Sequence, residues 1–133
     1  MIIPDVNLLV YATLKAVPEH RVTKTWWESL LNERAEIGLC HVALFGFLRL
    51  VTNPRVTQPP VRVELAIERV EEWLAQPNVR LLSPGPRHTE LAFGLLRALG
   101  TAANLTTDVQ LAALAIEHQS ELASNDTDFA RFK

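Results

Sequence analysis

The sequence predicts one α/β domain, a three-layer α/β/α sandwich built around a central, mainly parallel sheet. Short apolar segments alternate with segments of helical period along most of the chain. The length of 133 residues suits a single domain, and no internal repeat, linker or low-complexity tract divides it. We therefore expect residues 1–133 to form a single domain.

The first half of the chain contains two predicted strands and three predicted helices. Apolar character marks the strands, and a period near 3.6 marks the amphipathic helix that begins at His20. In that helix Trp26 is predicted to face the core and Trp27 to lie off the apolar stripe, where it is available to a partner. The elements are strand 1–4, helix 6–13, helix 20–34, strand 36–40 and helix 43–52.

The second half follows the same alternation after a proline-rich loop at residues 53–61. Gly100 is placed to end one helix, because glycine readily adopts the left-handed conformation of a helix terminus. Thr107 and Gln110 match a capping box that opens the next helix. The elements are helix 63–76, strand 79–82, helix 87–99, helix 107–119, strand 121–124 and a short helix within 128–132.

Composition excludes several classes of protein. The net charge of −2 gives no overall basic field, and a single cysteine, Cys40, rules out an intrachain disulfide framework. No apolar run approaches the roughly 20 residues that span a bilayer, and the first residues do not resemble a secretory signal. A cytoplasmic protein without membrane association is the expectation.

The aspartates are unevenly distributed among the acidic residues. Eleven of the fifteen acidic side chains are Glu, and the four Asp lie at positions 5, 108, 126 and 128. Each follows a predicted strand or opens a predicted helix. Because ligands of parallel sheets bind beyond the carboxyl ends of the strands, these four carboxylates are predicted to share one edge of the sheet.

Clustered carboxylates repel one another unless a cation lies among them. Oxygen ligands from Asp, without a Cys or His cluster, suit Mg²⁺ or Mn²⁺ better than Zn²⁺. Such ions favour phosphodiester hydrolysis by an activated water. Each Asp also has a purely structural interpretation: Asp5 as a helix cap, Asp108 as a favourable charge in a first helical turn, and Asp126 and Asp128 as turn residues.

Four segments in order resemble a PIN-domain ribonuclease of the VapC toxin type. They are MIIPDVNLLVYA, GFLRLVTNPRV, LTTDVQLAALAIEH and LASNDTDFARF, and they cover nearly the whole chain. The resemblance implies a metal-dependent endoribonuclease that hydrolyses RNA, is held inactive by a VapB-like antitoxin and pairs as a homodimer. It also implies the PIN-like form of the predicted sandwich.

The resemblance assigns roles to individual residues. It implies Asp5 and Asp108 as principal Mg²⁺ ligands, Asp126 as a further acidic member of the catalytic site, and Asp128 as an additional metal ligand. Mn²⁺ is an alternative ion. Two polar residues match positions that orient the carboxylates and water: Asn7 and Thr107.

Two departures from the family pattern bear on activity. Gly46 stands where many PIN domains carry a Glu, followed by two apolar residues and Arg49. This removes one ligand and leaves open whether one or two metals bind, although one subgroup of these toxins has a similar GFLR segment. Relatives also continue beyond the DFARF segment into another strand, which would cover the edge of the sheet.

Three arginines are candidate RNA-binding residues because a guanidinium can grip phosphate through two hydrogen bonds. They are Arg49, Arg55 and Arg87, and a solvated surface is the competing interpretation. The alternative function is a catalytically impaired PIN domain that binds an antitoxin or RNA, suggested by Gly46 and the short C-terminus. A phosphohydrolase of the haloacid-dehalogenase kind is disfavoured, because Asn7 occupies the second position of the DxD pair that such enzymes require.

Overall fold

A computed structural model of the protein describes residues 1–33 and 35–124. Its strands are β1 (Ile2–Pro4), β2 (Ile37–Cys40), β3 (Val79–Leu82) and β4 (Glu121–Ala123). Its α-helices are α1 (Val6–Thr13), α2 (His20–Asn32), α3 (His41–Val51), α4 (Val63–Leu74), α5 (His88–Leu99) and α6 (Thr106–Glu117), with a 3₁₀ turn at Ala103–Leu105 before α6.

The sheet is parallel, with the strand order β3-β2-β1-β4. Ile2 is in register with Ile37 on one side and with Glu121 on the other. The first two crossovers step one way across the sheet and the third returns, so right-handed connections place α5 and α6 on the face opposite α1–α4. This confirms the three-layer sandwich. No helix in the described ranges is long and apolar enough to cross a membrane.

The main core lies between the sheet and the helices that cover it. Its fully buried side chains include Ile3, Leu9, Ile37, Leu39 and Phe47. An aromatic cluster closes one side of this core, with the Trp27 and Trp73 rings edge-to-face at 5.5 Å between centroids and Phe47 5.0 Å from Trp73. These contacts join α2, α3 and α4 into one layer.

The aromatic cluster also explains why the predicted apolar face of α2 is wrong. In α2 the buried residues are Thr23, Trp27 and Leu30, whereas Val22 is 77% exposed and Trp26 is half-buried. The helix is therefore rotated by about one residue from the predicted stripe. Trp27, rather than Trp26, enters the core because its ring packs against Trp73, and burying a large aromatic side chain outweighs burying a valine.

The pair of helices α5 and α6 has a small second core of its own. Ala92, Val109 and Ala113 are buried in it, and Ala92 is the buried residue of α5. Gly100 ends α5 in the left-handed conformation, with φ of 75°, as predicted. The predicted capping box is wrong: α6 begins at Thr106 after the 3₁₀ turn, and the Gln110 side chain donates to the carbonyl of Thr106 instead.

Candidate metal centre

Asp5 is held rigidly where β1 passes into α1. It is 2% exposed, and its Oδ1 accepts a hydrogen bond of 2.9 Å from the backbone N–H of Leu8. Its Oδ2 accepts a hydrogen bond from the Ser124 hydroxyl, just beyond β4. Its own N–H donates to the carbonyl of Ala123 at 2.9 Å. Asp5 therefore caps α1, as the structural interpretation requires, and carries a buried carboxylate fixed at both oxygens.

A polar cavity of about 200 Å³ lies next to this carboxylate, beyond the carboxyl end of β1. Three segments line it: the start of α1, the middle of α3, and the 3₁₀ turn with the first turn of α6. The lining residues are Asp5, Val6, Asn7, Gly46, Arg49, Leu50, Asn104, Thr107 and Asp108. The topology of the sheet thus brings together residues separated by about 100 positions in the sequence.

The cavity contains five of the residues predicted to bind metal, orient ligands or bind RNA. The two principal carboxylates, Asp5 and Asp108, line it together with Asn7, Thr107 and Arg49. Asp108 is half-buried in the first turn of α6. The predicted ligands Asp126 and Asp128 lie outside the described residues, so their predicted roles stay predictions.

The other two arginines do not line this cavity. Arg55 is exposed in the loop after α3, where its backbone N–H donates to the Asn53 side chain at 2.9 Å. The backbone N–H of Arg87 donates to the Glu117 carboxylate at 3.1 Å. Glu117 lies nine residues after Asp108, a rise of roughly 13 Å along α6, so the backbone of Arg87 lies beside the other end of this helix. The RNA-binding roles of Arg55 and Arg87 stay predictions.

Gly46 occupies the wall of the cavity where the family pattern places a Glu. A Cβ atom added at this position would lie 3.2 and 3.3 Å from the two methyl groups of Val6. These distances are shorter than ordinary van der Waals contacts, so a larger residue requires Val6 to move by a few tenths of an ångström. The close packing of α1 on α3 therefore accommodates glycine, and the cavity lacks the carboxylate that a Glu would add.

The donor set of the cavity fits a hard divalent cation. Two carboxylates supply charged oxygen atoms beside the polar side chains of Asn7 and Thr107, and Mg²⁺ is commonly bound by one or two carboxylates with water completing the shell. Within residues 1–33 and 35–124 there is no group of three or more His, Cys, Asp or Glu side chains arranged for a metal. The oxygen-containing side chains that line the cavity suit a hard cation, whereas Zn²⁺ in proteins is bound mainly by Cys and His.

A carboxylate away from the cavity holds the third crossover in place. Glu117, near the end of α6, accepts hydrogen bonds from the N–H groups of Gly85 at 2.9 Å and Arg87 at 3.1 Å. The Gly85 bond is the main reason why the pKa of Glu117 lies below its ordinary value. A side chain at residue 85 would collide with this carboxylate, which explains the glycine. The contact fixes the start of α5 against α6.

Sequence reasoning missed two residues near the cavity, Ser124 and Asn104. Ser124 follows β4 directly and donates to Asp5, a contact that depends on the pairing of β1 with β4. A polar residue at the carboxyl end of a strand was the available signal. Asn104 lies between the predicted helices 87–99 and 107–119, and the available signal was its closeness in sequence to Asp108.

Comparison with known proteins agrees with the resemblance carried by the four motifs. Residues 2–133 match the sequence model of the PIN domain. The chain is 56% identical over 132 residues to ribonuclease VapC33 of Mycobacterium tuberculosis H37Rv, covering 99% of this chain and 92% of that protein. It is 38% identical over 133 residues to ribonuclease VapC37 of the same strain, covering 100% and 92% of the two chains.

Solved structures agree in fold. VapBC2 from Rickettsia felis, crystallised with a DNA fragment from its promoter, matches with a TM-score of 0.70 at 19% identity. FitAcB from Neisseria gonorrhoeae matches with a TM-score of 0.67 at 18% identity. Each match covers 99% of this chain and 93% of the other. At these identities the likeness supports the sandwich fold itself.

Proposed function

The chain belongs to the PIN-domain family, among its VapC ribonucleases, and from this premise we propose how its cavity cleaves RNA. As a VapC ribonuclease it is an endoribonuclease toxin of a VapBC pair. We assign the reaction to the cavity between α1, α3 and α6. The observation that carries this assignment is that Asp5 and Asp108, from opposite ends of the sequence, face one polar cavity at the carboxyl edge of the sheet.

Asp5 and Asp108 are the proposed ligands of Mg²⁺, with Mn²⁺ as an alternative ion. When bound, the ion lowers the pKa of a coordinated water and neutralises charge on the phosphodiester. The Leu8 N–H and the Ser124 hydroxyl hold the Asp5 carboxylate in a defined orientation before the ion arrives. Asp126 and Asp128 are proposed as additional acidic members of the site.

The other cavity residues bind and orient the substrate. Arg49 presents a guanidinium on the α3 wall, where it can donate two hydrogen bonds to a phosphate oxygen pair. Asn7 and Thr107 lie beside the carboxylates, where they can hydrogen-bond to water molecules around the ion. Hydrolysis then breaks one P–O bond of the RNA backbone, with the oxygen of water taking the place of the leaving oxygen.

We also propose two protein partners for this chain, an antitoxin and a second copy of itself. A VapB-like antitoxin is the expected inhibitory partner, in keeping with the toxin–antitoxin complexes among the structural neighbours. A homodimer is the expected state of the toxin alone. The upstream reading frame should encode the antitoxin, and co-purification of its product with this chain tests the pairing.

Cleavage of total RNA by the purified protein, with Mg²⁺ and with EDTA, tests the proposed reaction. Asp5→Asn and Asp108→Asn should abolish cleavage because each removes one ligand charge while keeping the shape of the side chain. Glu68→Gln, on the exposed face of α4, is the matched control and should cleave like the wild type. Cleavage that survives both aspartate substitutions would overturn the site.

The alternative, a PIN domain that binds without cleaving, keeps one specific observation in its favour. Gly46 removes a carboxylate from the cavity wall, and the packing of Val6 against it leaves little space for another. A protein that binds Mn²⁺ and antitoxin but leaves every RNA intact would establish this alternative. Robust turnover that requires a metal would dismiss it.

A further inference from the structure

The turn between α5 and α6 carries a cavity residue to which the family resemblance assigns no role. Asn104 lies in the 3₁₀ turn and lines the cavity beside Thr107 and Asp108. Arg49 lines the same cavity from α3. Asn104 therefore places an amide side chain four residues before Asp108, a proposed metal ligand.

The backbone on both sides of Asn104 is fixed. Ala103 has φ of 39°, in the left-handed region that residues other than glycine rarely adopt, at a cost on the order of 1 kcal/mol. Leu105 is 4% exposed, and its N–H donates to the carbonyl of Ala102 at 2.8 Å. The buried leucine and this hydrogen bond hold the strained turn, which presents Asn104 at a defined place on the cavity wall.

The side chain of Asn104 is exposed, unlike its neighbour Leu105. It makes no hydrogen bond with any group in the described part of the chain, so its contribution to folding is small. A residue held by strained backbone, with an amide left open to a functional cavity, is available to a ligand.

The hydrogen-bonding groups in the cavity indicate which part of a ligand Asn104 would bind. Its carboxylates are acceptors and attract the cation, whereas an RNA phosphate brings further acceptor oxygens and requires donors. Arg49 and the side-chain NH₂ of Asn104 are donors that line the same cavity. Because the Asn104 amide is neutral, it can approach a phosphate without the charge repulsion that a carboxylate there would cause.

We propose that Asn104 is a substrate-binding residue whose side-chain NH₂ donates a hydrogen bond to a phosphate oxygen of the RNA beside the metal. This inference rests on the proposed ribonuclease function and adds a residue to it. Arg49 and Asn104 then donate hydrogen bonds to the RNA phosphate, while Asp5 and Asp108 bind the ion. Asn104 acts on RNA binding and leaves metal binding unchanged.

Three variants separate this role from that of a metal ligand. Asn104→Ala removes the amide, Asn104→Asp keeps its shape but cannot donate to phosphate, and Asn32→Ala is the control, an exposed asparagine at the end of α2. Loss of one hydrogen bond to a charged group should raise KM for the cleaved RNA about tenfold in Asn104→Ala. Asn104→Asp should raise KM further, and Asn32→Ala should leave it unchanged.

Mn²⁺ titration by calorimetry supplies the second readout. Asn104→Ala should bind Mn²⁺ within about twofold of the wild type, because the proposed hydrogen bond acts on the substrate rather than on the ion. Tighter Mn²⁺ binding in Asn104→Asp, together with retained cleavage, would make this residue a metal ligand and overturn the inference. An unchanged KM in Asn104→Ala would also overturn it.

A binding assay keeps the inference testable apart from the reaction. Fluorescein-labelled tRNA is titrated with each variant in Ca²⁺, and anisotropy reports affinity without turnover. Weaker binding by Asn104→Ala than by Asn32→Ala supports the role even for a chain that does not cleave. Equal binding by the two variants contradicts it, whatever the wild-type protein does to RNA.

Discussion

The cavity has two walls that carry a carboxylate, a first wall with Asp5 and a second wall with Asp108, and the fold supports them differently. Asp5 follows β1, which pairs with a strand on each side, and its 2% exposed carboxylate has both oxygens hydrogen-bonded. Asp108 and Asn104 stand at the start of α6, which contributes Leu111 and Leu114 to the main core. The outer face of α6 packs on α5, in which Ala92 is the buried residue of the described range, so this second wall depends partly on a sparsely buried helix. We therefore expect the second wall to open at lower free energy.

The largest effect should follow from breaking the main core. Phe47→Ala removes a fully buried ring that packs against Trp73, and should lower the free energy of unfolding by about 3–5 kcal/mol. Leu96→Ala, on the half-buried face of α5, should cost about 1–2 kcal/mol. Urea unfolding measures both.

Hydrogen exchange sharpens this comparison between the walls. In Leu96→Ala, faster amide exchange should appear in α5 and the 3₁₀ turn while β1 and β2 stay protected. In Phe47→Ala, exchange should rise across all elements. Uniform acceleration in both variants would show that the two walls unfold as one unit.

A smaller effect is expected from releasing one oxygen of Asp5. Ser124→Ala removes a hydrogen bond to a buried carboxylate, which should weaken Mn²⁺ binding by about 10- to 100-fold. Ser124→Thr keeps the hydroxyl and should restore most of the affinity. Ser29→Ala, an exposed serine on α2, is the control. Calorimetric titration of the three proteins checks the order, and full affinity in Ser124→Ala would contradict it.

The smallest effect concerns the second wall and depends on pH. Because the pKa of Glu117 is lowered in the folded protein, its stabilising contribution is complete above the unfolded pKa of about 4.3 and is lost as pH falls through the folded pKa. In Glu117→Gln the side chain has a single carbonyl oxygen, so it can accept a hydrogen bond from only one of the two N–H groups, those of Gly85 and Arg87. The Tm of this variant should lie below that of the wild type at pH 7, and the difference should shrink as pH falls below the unfolded pKa and close once pH is below the lowered folded pKa.

Thermal unfolding of both proteins across this pH range measures the difference. The control is Glu68→Gln, an exposed acid in the middle of α4. A Tm difference for Glu117→Gln that stays constant from pH 7 to pH 3 would show that the carboxylate charge contributes nothing.

Sequence patterns predicted the fold because local signals and global topology agree in it. The strands are short, mostly apolar and alternate with helices, so the parallel sheet and the meeting of Asp5 with Asp108 at its carboxyl edge could be inferred. The rotation of α2 could not. Trp26 and Trp27 are adjacent and equally apolar, and the position of Trp73, 46 residues later, decides which one is buried.

The site was predictable to the extent that residue type determines chemistry. Carboxylates at strand ends indicate a metal, whereas Ser124 contributes through a bond to Asp5 across 119 positions, which no local pattern contains. Asn104 depends on a left-handed alanine, a conformation that composition does not signal. Gly46 was visible as a departure, but its fit against Val6 required the packing of α1 on α3.

Mn²⁺ binding by Asp5→Asn and Asp108→Asn, compared with the wild type and Glu68→Gln, tests most directly whether the two walls form one metal site. We expect the wild type and Glu68→Gln to bind the ion alike. Each aspartate variant should lose most of the affinity while remaining folded by circular dichroism. Wild-type affinity in either aspartate variant would contradict the central claim that Asp5 and Asp108 hold the metal together.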